Sequence, residues 1–379
     1  MKAEWETKRL GEIIQLEYGK PLADSERNPN GLYPAYGANG IKDRTDKFYK
    51  GEPSIIVGRK GSAGEVTLTE EKYWPLDVTF FVEFDRAKYE LQYLYFLLLT
   101  LNLPSMAKGV KPGINRNDVY DITVTTPDIE EQRRIVTLLD EAFADIATAK
   151  ANAEKNLQNA RELFTRISGS VLAQYASTSQ SITLEDLVEP DCSLSYGIVQ
   201  PGDEVAEGLH IVRPVDMNTN VVMLEGLKRI DPALANSYAR TTLKGNDILL
   251  CVRGTTGTVA LAHSELAGAN VTRGIVPIRF APEKISHQFG YYLLRSEPAQ
   301  LQIQAKTYGT ALQQINIRDL RQLTLPVPAP QDQEIIVQRL SALEEETKQL
   351  TAAYANKLTA LDDLKKSLLH QAFSGQLTQ

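Results

Sequence analysis

Apolar residues recur at steps of three and four along two long stretches of this chain. In the first they are Ile135, Leu139, Ala142, Ile146, Ala149, Ala153, Leu157, Ala160, Phe164, Ile167 and Val171. In the second they are Leu340, Leu343, Leu350, Tyr354, Leu361, Leu364, Leu368 and Phe373, with Thr347 softening one position. So narrow a seam predicts a coiled-coil-like rod and not a helix with a broad core face. Each stretch follows a proline-containing segment, Thr126-Pro127-Asp128 or Val327-Pro328-Ala329-Pro330. Proline stops a strand there, and acidic residues suit a helix N-terminus. About forty-five residues at a 1.5 Å rise make a rod of roughly 65 Å. Two such seams in one chain are expected to pack on each other.

The segments before the rods have a different period. Short β-prone runs cover residues 54–57, 78–82 and 121–124, then 247–250, 274–278 and 323–325. Glycine-rich turns such as Tyr36-Gly37-Ala38-Asn39-Gly40 separate them. One short helix is expected in each segment, over residues 90–100 and 287–296; the first carries Leu91, Leu94, Tyr95 and Leu98 at helical spacing. The expected fold class is mixed α/β (α+β).

The two halves are copies of one another. Placing Ile114-Asn115 on Ile315-Asn316 brings Asp118 onto Asp319, Pro127 onto Pro328, Gln132 onto Gln333, Leu139 onto Leu340 and Leu157 onto Leu358 without a gap. Upstream, with small indels, residues 8–13 resemble 182–187, and residues 57–64 resemble 251–257. A repeat held in phase this long divides the chain into four segments. Residues 1–127 and 176–330 form two pseudo-symmetric domains; residues 128–175 and 331–379 form the rods. Antiparallel packing of the rods as a coiled coil would relate the domains by a pseudo-two-fold axis.

Composition narrows the chemistry. The 379 residues are 42% hydrophobic and 23% charged, and the net charge is −7. Residues 1–127 carry a net −1, and 128–172, 173–331 and 332–379 carry −2 each, so no segment is basic. A nucleic-acid binder built this way needs local side chains or a partner to supply positive field. Cys192 and Cys251 make no disulfide framework, and the four histidines (His210, His263, His287, His370) have no ligand spacing, so no metal site is expected. No nucleotide or S-adenosylmethionine fingerprint follows a strand; Asn28-Pro29-Asn30-Gly31 reads as a turn, and His263-Ser264 lacks a nucleophile elbow. No apolar run is long enough to cross a bilayer, and residues 1–9 hold no signal-peptide core, so a cytoplasmic, non-enzymatic protein is expected.

What recurs are glycine-spaced polar loops that carry cations. Arg59-Lys60-Gly61-Ser62-Ala63-Gly64 answers to Arg253-Gly254-Thr255-Thr256-Gly257. A second loop, residues 108–115, answers to residues 306–316. Glycine lets backbone approach a phosphate, hydroxyls donate to it, and arginine pairs bidentately with guanine or phosphate.

Together these features resemble the specificity (DNA-recognition) subunits of type I restriction–modification systems. The resemblance rests on Trp5-x-x-x-Arg9-Leu10-Gly11-Glu12, Tyr33-Pro34-x-Tyr36-Gly37-x-Asn39-Gly40, Arg59-x-Gly61-x-x-Gly64 and the paired Ile-Asn-x-x-Asp loops. The Pro-x-x-x-x-Gln-x-x-Ile entries to the rods and the ending Ala372-Phe373-Ser374-Gly375-Gln376-Leu377 complete it. It covers essentially the whole chain, although the second domain lacks the Tyr-Gly-x-Asn-Gly segment. The resemblance implies a non-catalytic subunit with two target-recognition domains, each reading half of a bipartite site on double-stranded DNA. It implies two methyltransferase (modification) subunits docked on the rods, and restriction/translocase subunits reached through them. S-adenosylmethionine and ATP with Mg would then belong to those partners, with no cofactor in this chain. The DNA-binding candidates of the first domain are Tyr36, Asn39, Arg59, Lys60, Ser62, Lys108, Lys111, Asn115 and Arg116. Those of the second are Arg253, Thr255, Thr256, Arg273, Lys306, Thr307, Tyr308, Thr310, Gln313, Gln314 and Asn316. The alternative is an orphan or structural adaptor of the same fold that binds partner subunits without specific DNA recognition.

Overall fold

A computed structural model describes residues 5–310 and 312–376. Residues 1–4, Ala311 of the second polar loop and Leu377 of the C-terminal motif lie outside the described residues. The chain divides into two units, one reaching to residue 154 and resuming at 356, the other holding residues 155–355. Each unit therefore contains one mixed domain and a portion of both long helices.

In the first unit, β1 (Glu6–Arg9) leads to β2 (Ile14–Tyr18), a hairpin of β3 (Tyr33–Gly37) and β4 (Gly40–Thr45), and a second hairpin of β5 (Ser54–Gly58) and β6 (Val66–Thr69). Then come β7 (Trp74–Pro75), β8 (Thr79–Phe84), α1 (Leu91–Thr100), α2 (Arg116–Tyr120) and β9 (Thr123–Thr126). The main sheet has the order β2-β8-β5-β6 with every neighbour antiparallel; β4-β3-β7 and β1-β9 form smaller sheets. In β2, Ile14 and Leu16 are buried while Gln15 is exposed, the alternation of a strand with one covered face. The central β5 is buried at every position, as an isoleucine- and valine-rich strand between two others should be.

The first short helix departs from its expected stripe. Tyr93, Leu94, Phe96, Leu97 and Leu98 are all buried, whereas Leu91 and Tyr95 are only half-buried. The sheet lies on one side of α1, and Ile135 and Leu139 of the first rod lie in the same core, so the helix is covered nearly all round.

The rods themselves are continuous helices, α3 (Ile129–Ala173) and, at the end of the chain, a helix covering Pro330–Phe373. Within the first unit they run antiparallel: Lys365 lies 4.8 Å over the ring of Phe143, and Lys150 bonds Asp362 at 2.6 Å, one number rising as the other falls. Ala153 is buried at the seam, where a small side chain lets helices come close. Three expected seam residues fall elsewhere. Ile167, Leu350 and Leu364 are exposed, whereas Ser168 is buried, and so is Thr347 at the softened position; Ala372 joins the core of the first domain. The phase of a 3.6-residue helix, and not hydrophobicity alone, decides which position faces inward.

The second unit repeats the plan with shorter strands. It holds β10 (Gln180–Thr183), α4 (Leu184–Leu187), β11 (Leu209–Val212), β12 (Val221–Val222), β13 (Lys228–Ile230), β14 (Ile248–Cys251), β15 (Val259–Ala262), β16 (Asn270–Val271) and β17 (Ile275–Ile278). After them come α5 (His287–Arg295), α6 (Glu297–Ala305), α7 (Ile317–Arg321), β18 (Thr324–Val327) and the start of α8 (Pro330–Phe373). The sheet order is β12-β15-β14-β17, with β13-β11-β16 and β10-β18 beside it. Its core joins Phe289, Leu293 and Leu294 of α5 to Val171 and Leu172 of α3 and to Ile336 and Leu340 of α8.

One contact is the same in both units. Gln132, buried on the first turn of α3, donates to the carbonyls of Pro127 (2.9 Å) and Lys88 (3.1 Å) and accepts from the backbone N–H of Glu90 (2.9 Å). Gln333 of α8 donates to the carbonyls of Pro328 (3.0 Å) and Lys284 (3.4 Å) and accepts from the N–H of Ser286 (2.8 Å). Glu90 and Ser286 are the N-caps of α1 and α5, so one amide ties the end of a strand, the start of a rod and the start of the core helix. Replacing either glutamine by alanine strands backbone groups without partners. Gln132→Ala and Gln333→Ala should each lower unfolding free energy by about 1–3 kcal/mol, read from the urea midpoint; an unchanged midpoint would mean that water substitutes for the amide.

Candidate nucleic-acid interface

The two polar loops that the sequence singles out in each copy lie side by side. In the first unit, Gly61 N–H donates to the carbonyl of Pro112 (2.9 Å) and Ile114 N–H to that of Arg59 (3.0 Å). Lys108 and Gly113 exchange backbone bonds of 2.9 and 3.1 Å, closing the second loop on itself. In the second unit, Gly254 N–H donates to Gln313 (2.9 Å) and Ile315 N–H to Val252 (3.0 Å), while Tyr308 and Gln314 exchange bonds of 2.9 Å. Each pair of loops is thus one small platform beyond the end of an inner strand of its main sheet, β5 in the first unit and β14 in the second.

A tyrosine that sequence reasoning missed stands at each platform. Tyr18, at the end of β2, is 49% exposed; its ring packs 5.1 Å from Phe80 and carries Arg59 at 5.3 Å and Arg116 at 5.2 Å. Tyr196 of the second unit is 37% exposed and donates its hydroxyl to the carbonyl of Ile315 (3.2 Å). Partial burial raises that hydroxyl above the usual tyrosine range. A glycine follows both tyrosines, and the reason is steric. A Cβ on Gly19 would lie 2.0 Å from the Leu76 carbonyl oxygen, and one on Gly197 would lie 2.0 Å from that of Val271. The repeated Tyr-Gly pair was visible in the sequence, but nothing in its neighbourhood marked it as chemistry.

The predicted residues of the first unit divide into those at the platform and one that is not. Lys60, Ser62, Lys111 and Asn115 are exposed on it, and Arg59 and Arg116 are half-buried against Tyr18. Lys108 is exposed but paired with Asp118 at 3.0 Å. The Asn115 side chain accepts from Asn117 N–H (3.0 Å), capping α2. Asn39 is exposed at the tip of the β3–β4 hairpin, whose Ala38 sits against Gly58 just before Arg59. Tyr36 is a correction. It is 5% exposed and packs edge-on to Tyr73 (6.0 Å) among Ile56 and Phe81, so it is a core residue. All of β3 after Tyr33 is buried, and Tyr36 packs with Ile56 of β5 and Phe81 of β8 in the main sheet.

In the second unit, Arg273, Thr310 and Gln313 are exposed, and Lys306 is half-buried. Several polar groups there bond each other. Tyr308 donates to Asn316 Oδ1 (2.5 Å) and accepts from Gln314 Nε2 (3.1 Å). Thr256 donates to the Gln313 carbonyl (3.1 Å), Thr307 to the Ile303 carbonyl (2.7 Å) and Thr255 to the Cys251 sulfur (3.4 Å). These threonines brace the loops. Nη1 of Arg253 is buried without a hydrogen-bond partner among the described residues. No helix among the described residues is long and apolar enough to cross a membrane.

Comparison with known proteins extends the likeness over the whole chain. The chain is 24% identical to the type I restriction enzyme EcoBI specificity subunit of Escherichia coli, over 89% of this chain and 78% of that protein. It is 22% identical to the MjaVIII specificity subunit of Methanocaldococcus jannaschii, over 99% and 93%. Its fold matches, with a TM-score of 0.75 and 18% identity over 99% of this chain and 100% of the other, a chain solved in work on assembly and conformational transition of the type I restriction–modification system. The profile of the type I restriction modification DNA specificity domain matches residues 2–157 and again residues 210–360. With both copies matched over most of its length, the chain belongs to the type I restriction modification DNA specificity domain family.

Proposed function

We propose that this chain is the non-catalytic DNA-recognition subunit of a type I restriction–modification complex, with each domain reading one half of a bipartite target. The observation that carries the reading is the platform that recurs in both copies: two glycine-bent loops, bonded backbone to backbone, presenting Arg59, Lys60 and Lys111 in one and Arg253 and Lys306 in the other, where Arg273 stands near Tyr196. Cations and amides on bent backbone suit phosphate positioning and base-edge reading. The side chains around the platforms differ between copies, so the half-sites differ too. The long helices set the unread spacer and dock two methyltransferase subunits; restriction/translocase subunits join through these. S-adenosylmethionine and ATP with Mg are needed by those partners and not by this chain. Sequencing methylated bases in cells that express this chain with its methyltransferase subunits tests the reading, and a bipartite motif is the expected result.

Lengthening the rods should change the spacer alone. Lys150 opposite Asp362 sets the register, so a four-residue insertion after Glu154 is matched by one after Ala355. The added rise is about 6 Å, the length of one or two base pairs at roughly 3.4 Å each. Both half-site sequences should persist with a spacer longer by that amount; altered half-sites would contradict the role of the helices as a ruler.

The charge balance generates a second expectation. The chain carries −7 overall, and no segment is basic. A few cations per platform neutralise only a few phosphates, whereas tight specific binding rests on a larger set. At one fixed salt concentration the lone chain should bind its motif weakly, and adding methyltransferase should tighten binding by roughly tenfold or more. Equal affinity with and without partner would count against this division of labour.

A further inference from the structure

The two arginines on Tyr18 are not equivalent. Arg59 donates from Nε (3.1 Å) and Nη2 (2.5 Å) to the carbonyl of Asp77, so one edge of its fork is already spent on the protein. Arg116 has no hydrogen-bond or ion-pair partner among the described residues; its guanidinium lies 5.2 Å from the Tyr18 ring. That ring cannot easily swing, because Phe80 packs against it at 5.1 Å and Gly19 after it is pressed onto the Leu76 carbonyl. On the other side, the Asn115 cap holds the turn from which Arg116 projects. A planar guanidinium stacked on a fixed ring keeps its donors while losing little further freedom on binding. The repeat supplies the contrast: Arg116 aligns with Ile317, so the second copy carries no cation at this sequence position, and Arg253 and Arg273 are the cations near its Tyr196.

We propose, resting on the recognition role above, that Arg116 reads a guanine in the half-site of the first unit through paired contacts to O6 and N7. Tyr18 is its positioning residue, and Arg59 braces the loop and contributes charge without choosing a base. The reading is confined to one half-site.

The test uses the full chain assembled with its methyltransferase subunits to enrich bound duplexes from a pool of random-sequence DNA, followed by sequencing. Wild type should yield a bipartite motif with guanine fixed at one position of one half. Arg116→Ile, which installs the residue of the second copy, should weaken that guanine preference roughly tenfold or more and leave the other half unchanged. Arg116→Lys keeps the charge but not the rigid fork, and should weaken the same preference at that position alone; it carries the test if Arg116→Ile does not assemble. Tyr18→Phe should retain the preference, and Tyr18→Leu should relax it at that same position. An unchanged motif in both Arg116 variants, or a uniform loss of affinity with the motif intact, overturns the assignment. If wild type enriches no motif, the recognition role itself fails and the assignment falls with it.

Discussion

A single buried amide at each rod entry holds the plan of this protein together. A helix that leaves a strand after one proline could set off in many directions, because the first turn of a helix has no intrahelical partners for its N–H groups. Gln132 and Gln333 remove that freedom. Each bonds the carbonyl of the preceding proline and the N-cap of the core helix at once. The direction of the rod is thereby tied to the core of the domain on which the polar loops are built. Apolar packing alone is non-directional and would not fix it.

From that tie the rest follows in order. Ile135 and Leu139 enter the first core, and Ile336 and Leu340 enter the second, so each rod begins as part of a domain before it becomes a separate helix. Farther along, the rods have narrow seams of small and apolar residues and otherwise charged faces. Such helices gain stability from each other while leaving most of their surface to water or to partners.

The platforms solve a different problem, presenting cations on an acidic chain. They do so with few residues held rigidly: backbone bonds join the loops, threonines brace those of the second unit, and a half-exposed tyrosine stands at each platform. Rigid presentation matters because specificity comes from placing donors against base edges, whereas bulk charge alone would bind any sequence.

Much of this was legible in the chain itself. The tandem copies, the rods, the Pro-to-Gln entries and the paired loops depend on local periodicity and on residues repeated at a fixed offset, so sequence alone determined them. Three things were decided only by packing. Tyr36 looked like a loop reader beside Asn39, yet it is buried against Tyr73 and against Ile56 and Phe81 of the main sheet. Tyr18 and Tyr196 carried no motif, because their role arises from loops some forty residues or more away that fold against them. Ile167, Leu350 and Leu364 were assigned to the seam by hydrophobicity, but helical phase turns them to solvent, while Ser168 beside Ile167 is buried. Spacing along a chain determines which element forms and which face is apolar. What covers that face, and which arginine keeps its donors free, is settled by neighbours distant in sequence, and only the tertiary structure brings them together.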